Sequence, residues 1–358
     1  LWESLAMPPY LYKVQEELGE DWNKTTLYGA FENLLDEIKD DERFRPDLVI
    51  YIGGHIVSKK LKSYLRSLKG VEQIRISQEA DIEDTFMHLT KVMDLPNSDA
   101  MSWLGNFGWH NHWEDYRKLW MDALAKSYER KENFKPEFSS LATVKEFFSQ
   151  LQKVEPQDFK AFTLGGKDAQ DDGIYDRKFD TFLPGMMSSV FSGNSSAIRL
   201  MNQYADRHVY CNRGVNGIEG SLSTAVGFSM CKNGADKHVY CVLGDLSFFY
   251  DQNALWNRNL NGKLRIIVLN NGGGAIFGKF QGLKESQARE EMVMAKHHAT
   301  AEGICSQNDV KYLAAHTMVE MEQGISQLIH AESERPMLLE IFTDMDVDNE
   351  MLEAIQKC

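Results

Sequence analysis

Two polar clusters of the sequence, Gly244-Asp245-Leu246-Ser247 and Asn270-Asn271-Gly272-Gly273, each follow a short apolar run. Asp245 offers a carboxylate and Asn271 a side-chain carbonyl, and the two residues are 26 positions apart. The glycines after Asn271 allow a main-chain carbonyl, that of Gly273, to turn inward. Oxygen ligands of this kind suit Mg²⁺, which completes its octahedron with phosphate oxygens and water. The two clusters therefore predict a site for a metal-bound diphosphate.

The elements that must position these clusters are two strands. The apolar runs from Val239 to Leu243 and from Ile266 to Leu269 end just before the clusters. In open α/β sheets ligands bind beyond the carboxyl ends of the strands, so we expect both clusters on one rim, with one helix over 249–260 between them. Helices that begin after Gly244 and after Asn194 would direct main-chain N–H groups at the same anion.

The rest of the chain alternates in the same way. A β-rich run, a glycine turn, a helical pattern and a second strand predict a βαβ unit in the first part, and 82–160 is mainly helical in pattern. Further strand candidates lie at 189–191, 208–211, 237–243, 264–269 and 336–342. The predicted fold class is α/β, with two doubly wound, mostly parallel-sheet domains. Their predicted limits are 1–160 for a middle, Rossmann-like domain, 161–187 for a polar linker and 188–358 for a diphosphate-binding domain.

The paired clusters resemble the signature of the thiamine-diphosphate enzymes, in which Gly-Asp is followed by Asn-Asn at the end of a later strand. This chain has Leu246 where that family usually has glycine. The resemblance implies thiamine diphosphate as cofactor, held with Mg²⁺ or Mn²⁺ at Asp245, Asn271 and Gly273. The cofactor-binding residues that it implies are Asn194, Gly217, Ile218, Gly244, Asp245, Leu246, Ser247, Asn271 and Gly273.

Four segments narrow the resemblance to the 2-succinyl-5-enolpyruvyl-6-hydroxy-3-cyclohexene-1-carboxylate synthases of menaquinone biosynthesis. They are the segments 193–199, 212–220, 244–248 and 269–277. The "Leu-Ser" variant after Gly-Asp and the Gly-Gly-x-Ile-Phe tail are typical of that family. The resemblance implies decarboxylation of 2-oxoglutarate and addition of the resulting succinyl carbanion to isochorismate, with the cofactor as electron sink.

Both implied substrates are anionic, and arginine pairs well with carboxylates. By matching motif positions, the resemblance assigns Arg199 and Arg213 as carboxylate clamps and adds the hydroxyl of Ser195; these three are the implied catalytic residues. Ile218 resembles the apolar wedge beneath the cofactor. Alternative interpretations stay open: a surface position for Arg199, a turn-stabilising role for Arg213 and core packing for Ile218.

Four further residues match substrate-binding positions of the family. Ile276, Phe277 and Phe280 are expected to wall the substrate pocket, with core packing as the alternative for Ile276 and Phe277. Lys59 matches a basic position that would reach in from the middle domain, and a solvated helix face is the alternative there.

The cofactor-activating glutamate of this enzyme class belongs to a pyrimidine-binding domain, and no motif of the chain matches that domain. The resemblance therefore implies that the chain is a C-terminal fragment, inactive or nearly so alone. It also implies that the full-length protein is a homo-oligomer, either a dimer or a tetramer. Glu219 is not expected to be the activating glutamate.

Composition excludes some classes of function. The net charge of −14 and the lack of a long basic run argue against nucleic acid as a partner. No apolar run is long enough to span a membrane. The five cysteines lack C-x-x-C spacing, which argues against a disulfide framework or a zinc site and favours a cytoplasmic protein.

Two other functions remain open on the same residues. One is a different thiamine-diphosphate decarboxylase or carboligase, of the acetolactate-synthase type. The other is a non-catalytic scaffold that binds Mg-diphosphate without chemistry. The pair Arg199 and Arg213 distinguishes the synthase from the first alternative, because the synthase must bind several carboxylates.

Overall fold

The computed structural model describes residues 30–52, 56–78, 82–96, 99–100, 114–155, 188–207, 209–214, 217–231, 238–279, 282 and 286–357. The contacts divide the chain into two compact units. The first comprises Leu1–Phe134 with Ile355–Cys358, and the second comprises Lys135–Ala354.

The first unit contains a three-stranded parallel sheet in the order β1-β2-β3. These strands are β1 (Leu48–Ile52), β2 (Glu72–Ser77) and β3 (Lys91–Asp94). Leu48 pairs with Glu72, and Ile74 pairs with Lys91. Parallel pairing requires a crossover between strands, which the helix after β1 provides.

Three helices of the first unit pack in a shared apolar core. They are α1 (Ala30–Ile38), α2 (Lys59–Ser67) and α3 (Glu114–Asn133). Helix α2 begins where the Ser58 hydroxyl accepts the N–H of Leu61 at 3.0 Å, which satisfies a donor at the helix start. Leu61, Tyr64 and Leu65 recur at helical spacing and are buried, so this face of α2 covers the core.

The second unit is built on a six-stranded parallel sheet in the order β5-β4-β6-β7-β9-β8. The strands are β4 (Ser189–Ser192), β5 (Val209–Cys211), β6 (Val239–Gly244), β7 (Leu264–Asn270), β8 (Lys311–Ala315) and β9 (Met337–Phe342). Every residue of β7 is buried. A strand that is buried on both faces belongs in the middle of a sheet covered by helices on both sides.

The helices of the second unit precede, connect or follow these strands. They are α4 (Ser140–Val154), α5 (Ser196–Tyr204), α6 (Ser221–Cys231), α7 (Asp245–Tyr250), α8 (Glu302–Gln307), α9 (Met318–His330) and α10 (Met345–Ile355). Within the described ranges, no helix is long and apolar enough to cross a membrane.

The chain changes direction across this sheet at β4 and β6. From β4 the chain moves outward to β5 on one side, and from β6 it continues to β7 on the other side. Such a switch leaves a crevice beyond the carboxyl ends of the two adjacent strands, which is where open α/β sheets bind ligands. Asn194 follows β4 and Asp245 follows β6, so both lie at this crevice.

The predicted α/β class is confirmed, since both sheets are parallel and helices alternate with strands. The described part of 82–160 is mainly helical, as expected, through α3 and α4, although strand β3 also lies in it. Strand β8 was not predicted. The single helix expected over 249–260 is instead the end of α7 followed by a 3₁₀ helix, Gln252–Trp256.

The predicted domain limits stay a prediction. The expected linker at 161–187 lies outside the described residues. Helix α4 is grouped with the second unit, although the sequence pattern assigned 140–154 to the first domain.

Candidate functional site

The carboxylate of Asp245 lies at the edge where β6 and β7 end side by side. Gly244 pairs with Leu269, so the residues that follow each strand emerge together. The Oδ2 atom of Asp245 accepts the main-chain N–H of Gly272 at 2.9 Å and that of Gly273 at 3.0 Å. Its Oδ1 atom accepts the N–H of Leu246 at 2.6 Å. The buried carboxylate is thus fixed against the turn that follows β7.

Gly273 has a backbone that only glycine adopts readily. Its φ is 152°, and a Cβ there would lie 2.6 Å from the main-chain oxygen of Met294. Gly272, with φ of 80°, also lies in the left-handed region. These two glycines let the chain turn tightly around Asp245, with both N–H groups directed at the carboxylate.

Asn271 is held through its amide nitrogen. The Nδ2 atom donates to Oδ2 of Asp348 at 2.7 Å, so the other side of the amide, Oδ1, faces away from Asp348. Burial raises the pKa of the Asp348 carboxyl, and hydrogen bonds from Asn271, Ser140 and Thr343 oppose that rise. Asp348 was not among the residues that the sequence indicated.

His297 is a second neighbour of the site that sequence reasoning missed. Its Nε2 lies 3.3 Å from Oδ2 of Asp245, and its ring meets the edge of Phe249 with centroids 5.3 Å apart. The Asp245 carboxylate raises the pKa of His297, and partial burial of the ring acts against it. Nothing in the segment 295–299 of the sequence indicates that the main-chain N–H of His297 donates to the carbonyl oxygen of Gly272.

Asn194 organises the loops beyond β4 and β5. Its Nδ2 donates to the main-chain oxygens of Asn212, at 2.6 Å, and Gly217, at 2.5 Å. Its Oδ1 accepts Nη1 of Arg213 at 2.8 Å. One buried amide therefore ties three predicted site residues together, namely Asn194, Arg213 and Gly217.

Arg199 contacts Ser195 at the start of α5. Arg199 Nη1 donates to the main-chain oxygen of Ser195. Ser195 has φ of 67° and ψ of −123°, a strained backbone for a residue with a side chain. Strain of this kind concentrates at functional sites, where surrounding contacts hold it in place.

Ser247 connects the loop after β5 with the loop after β6. Its hydroxyl donates to the main-chain oxygen of Ile218. Ile218 and Leu246 are half-buried. A Cβ placed on Gly193 would lie 2.9 Å from the Cβ of Leu243 and 3.6 Å from Ser247 Oγ, so β4 and β6 approach closely here. The structure thus gathers the loops after β4, β5, β6 and β7 at one edge.

The remaining predicted substrate residues are Ile276, Phe277, Phe280 and Lys59. Ile276 is half-buried and Phe277 is 40% exposed, and both lie in the short 3₁₀ helix Ala275–Lys279. Phe280 lies outside the described residues. Lys59 is the first residue of α2 in the first unit, and its role stays a prediction.

The residues at this edge fit a metal-bound diphosphate in their chemistry. Asp245 supplies a carboxylate, Asn271 an amide oxygen turned from Asp348, and the Gly273 turn a main-chain carbonyl, all hard oxygens of the type Mg²⁺ prefers. In the described part of the chain, no group of three or more His, Cys, Asp or Glu side chains could hold a metal. A metal ion at this edge would need further oxygen ligands from a bound molecule, and a diphosphate provides them.

Comparisons with known proteins agree with this geometry. Residues 192–341 match the family described as "Thiamine pyrophosphate enzyme, C-terminal TPP binding domain". The chain is similar to 2-succinyl-5-enolpyruvyl-6-hydroxy-3-cyclohexene-1-carboxylate synthases. That of Phocaeicola vulgatus is 31% identical over 98% of this chain and 58% of its own length. That of Christiangramia forsetii is 31% identical over 98% of this chain and 56% of its own length. That of Bacteroides thetaiotaomicron is 31% identical over 86% of this chain and 49% of its own length. The chain thus spans about half the length of the curated relatives that it matches.

Proposed function

Because the chain belongs to the thiamine pyrophosphate enzymes, we propose that it provides the cofactor site of a 2-succinyl-5-enolpyruvyl-6-hydroxy-3-cyclohexene-1-carboxylate synthase. The proposed reaction decarboxylates 2-oxoglutarate and adds the succinyl group to isochorismate. The observation that carries the proposal is the contact between the Asp245 carboxylate and the Gly272-Gly273 turn, at the edge where the family's diphosphate site is expected.

In the proposed site, Asp245, Asn271 and the main-chain oxygen of Gly273 hold Mg²⁺ or Mn²⁺. The loops of Asn194 and Gly217 on one side, and of Gly244 to Ser247 on the other, face the cofactor. Support comes from the hydrogen bonds of Asn194 to Gly217 and of Ser247 to Ile218, which hold these loops at one edge. When bound, thiamine diphosphate supplies the electron sink that lets a 2-oxo acid lose CO₂.

Arg199 and Arg213 are the proposed carboxylate-binding residues, together with the hydroxyl of Ser195. Arg213 is supported by its geometry: one guanidinium nitrogen is anchored on Asn194, while its buried Nε has no hydrogen-bond partner in the described residues. An anchored guanidinium with an unused donor is suited to an anionic substrate group. By motif position, Ile276, Phe277 and Phe280 are further proposed substrate-binding residues. A homo-oligomeric, cytoplasmic protein is part of the same proposal.

Calorimetric titration of the chain with thiamine diphosphate tests the cofactor proposal. Binding is expected in the presence of Mg²⁺ and is expected to weaken strongly when the metal is removed with a chelator. Binding that does not respond to the metal, or no binding at all, would overturn the assignment of the site.

The substrate proposal is tested by binding of 2-oxo acids to the chain loaded with cofactor and Mg²⁺. We expect 2-oxoglutarate to bind more tightly than pyruvate, and Arg213→Ala to remove that preference. A preference for pyruvate would favour the acetolactate-synthase type instead. Cofactor binding with no affinity for either acid would favour the scaffold.

A further inference from the structure

Asp348 accepts four hydrogen bonds from three separate segments of the second unit. Its Oδ1 accepts the main-chain N–H of Ser140 at 2.7 Å. Its Oδ2 accepts the hydroxyl of Ser140 at 2.7 Å, the hydroxyl of Thr343 at 3.0 Å and Nδ2 of Asn271 at 2.7 Å. Only 9% of Asp348 is exposed, so water contributes little to its hydrogen bonding.

This arrangement leaves Asn271 one orientation. A carboxylate accepts hydrogen bonds and donates none, so only the nitrogen side of the Asn271 amide can face Asp348. The amide oxygen would lie against a carboxylate oxygen if the group turned over, and a buried acceptor pair of this kind is costly. The oxygen of Asn271 is therefore held on the side away from Asp348, where it is available as a ligand.

We propose that Asp348 is a positioning residue of the metal site, which selects the amide orientation of Asn271 that offers Oδ1 to the cation. The inference rests on the proposed function, because it assumes that Asn271 is a metal ligand. Asp348 itself touches neither metal nor substrate in this role. Groups that orient metal ligands in this way typically contribute about 10- to 100-fold to metal affinity.

A purely structural role is the competing explanation. Asp348 also joins the start of α4 to α10 through Ser140, so its loss would loosen the second unit. Ser140→Ala is the matched control, because it removes one hydrogen bond to Asp348 without touching Asn271. Ser140→Ala and a substitution of Asp348 are both expected to lower the unfolding temperature, but only the substitution of Asp348 should alter metal binding.

Asp348→Asn is the informative variant. An asparagine at 348 can keep its oxygen toward the Ser140 N–H, and its NH₂ group then faces Asn271. The Asn271 amide turns over in response and presents NH₂ to the cation. We expect the Kd for Mn²⁺, measured by electron paramagnetic resonance with thiamine diphosphate present, to rise about 10- to 100-fold. Ser140→Ala is expected to change this Kd less than about threefold.

The double variant Asn271→Asp/Asp348→Asn, which exchanges the two side chains, tests whether Mn²⁺ affinity can be restored. An aspartate at 271 offers oxygen on both sides, so it can accept from the new amide at 348 and still bind the metal. We expect the double variant to recover most of the Mn²⁺ affinity. A structural role for Asp348 would leave the double variant as weak as the single one.

The outcomes distinguish a failure of the proposed function from a failure of the positioning role of Asp348. If the unmodified chain binds no Mn²⁺ with thiamine diphosphate, the proposed function fails and the inference fails with it. If the unmodified chain binds Mn²⁺ and Asp348→Asn binds it equally well, the inference alone is overturned. Should Asp348→Asn not fold, a crystal structure of the unmodified chain with Mn²⁺ decides: the ion must lie on the Asn271 side-chain atom opposite the one that contacts Asp348.

Discussion

The Oδ2 atom of Asp245 lies 3.0 Å from the main-chain nitrogen of Gly273, although the two residues follow different strands. This contact joins the end of β6 to the turn after β7. The proposed metal ligands Asp245 and Asn271 are neighbours because of it, since Asn271 immediately precedes the two glycines whose N–H groups Asp245 accepts.

Gly273→Ala is expected to destabilise the second unit. The added Cβ would meet the main-chain oxygen of Met294, and the φ of 152° is unfavourable for alanine. We expect the free energy of unfolding to fall by about 1–3 kcal/mol, as measured by urea denaturation. Gly227→Ala is the control, because a Cβ at this position in α6 meets no atom within 4 Å. It should stabilise the helix by up to about 1 kcal/mol, and equal losses in both variants would contradict the account.

Ser195→Gly is expected to stabilise the fold while removing a proposed substrate contact. Glycine adopts the backbone of Ser195 without strain, which should add about 1 kcal/mol to the free energy of unfolding. Ser195→Ala removes the same hydroxyl but keeps the Cβ, so its stability should stay near that of the unmodified chain. If thermal denaturation shows no difference between the two variants, the backbone of Ser195 is not strained.

Glu155 gives the second unit a defined sensitivity to acid. It accepts the N–H and hydroxyl of Ser188 and the guanidinium of Arg207. Burial acts to raise the pKa of Glu155, but hydrogen bonds from Ser188 and the charge of Arg207 outweigh it and hold the pKa below the ordinary value of 4.5. The stability from this ionised carboxylate is present above pH 4.5 and is lost as the pH falls through the lowered pKa.

Glu155→Gln tests this pH dependence. At pH 7 the variant should lose about 1–3 kcal/mol of unfolding free energy, because Ser188 and Arg207 lose a charged acceptor. The deficit should shrink as the pH falls below 4.5, where the unmodified chain also loses the charge. Glu322→Gln, on an exposed position of α9, should show no deficit at either pH. A deficit for Glu155→Gln that is constant across the acid range would contradict the lowered pKa of Glu155.

The residues at strand ends could be predicted from the sequence, because apolar runs mark the strands and parallel strands bring their carboxyl ends together. Asp245, Asn271 and Gly273 followed from that argument alone. Arg199 and Ser195 came from the resemblance to the family, and the structure brings them into contact at the start of α5. The family signature then supplied the cofactor, which geometry alone does not name.

Asp348 and His297 could not be predicted in the same way. Each reaches the site from a segment remote in sequence, and its position depends on tertiary packing rather than local pattern. Strand β8 was missed for a related reason: it is an edge strand with exposed residues at Lys311 and Ala314, so its apolar signal is weak. Sequence periodicity identifies elements with one fully apolar face, and it misses elements whose position depends on contacts with neighbouring elements.

The most direct test of the account is Mg²⁺-dependent binding of thiamine diphosphate to Asp245→Asn, measured by calorimetry. Asp309→Asn is the matched control, because Asp309 is an exposed aspartate that lies just before β8 and pairs with Arg335. Asp245→Asn is expected to raise the Kd of the cofactor roughly 100-fold or more, because a metal ligand is lost and not only a supporting contact. Asp309→Asn should bind like the unmodified chain. Binding by Asp245→Asn that is as tight and as Mg²⁺-dependent as that of the control would contradict the central claim.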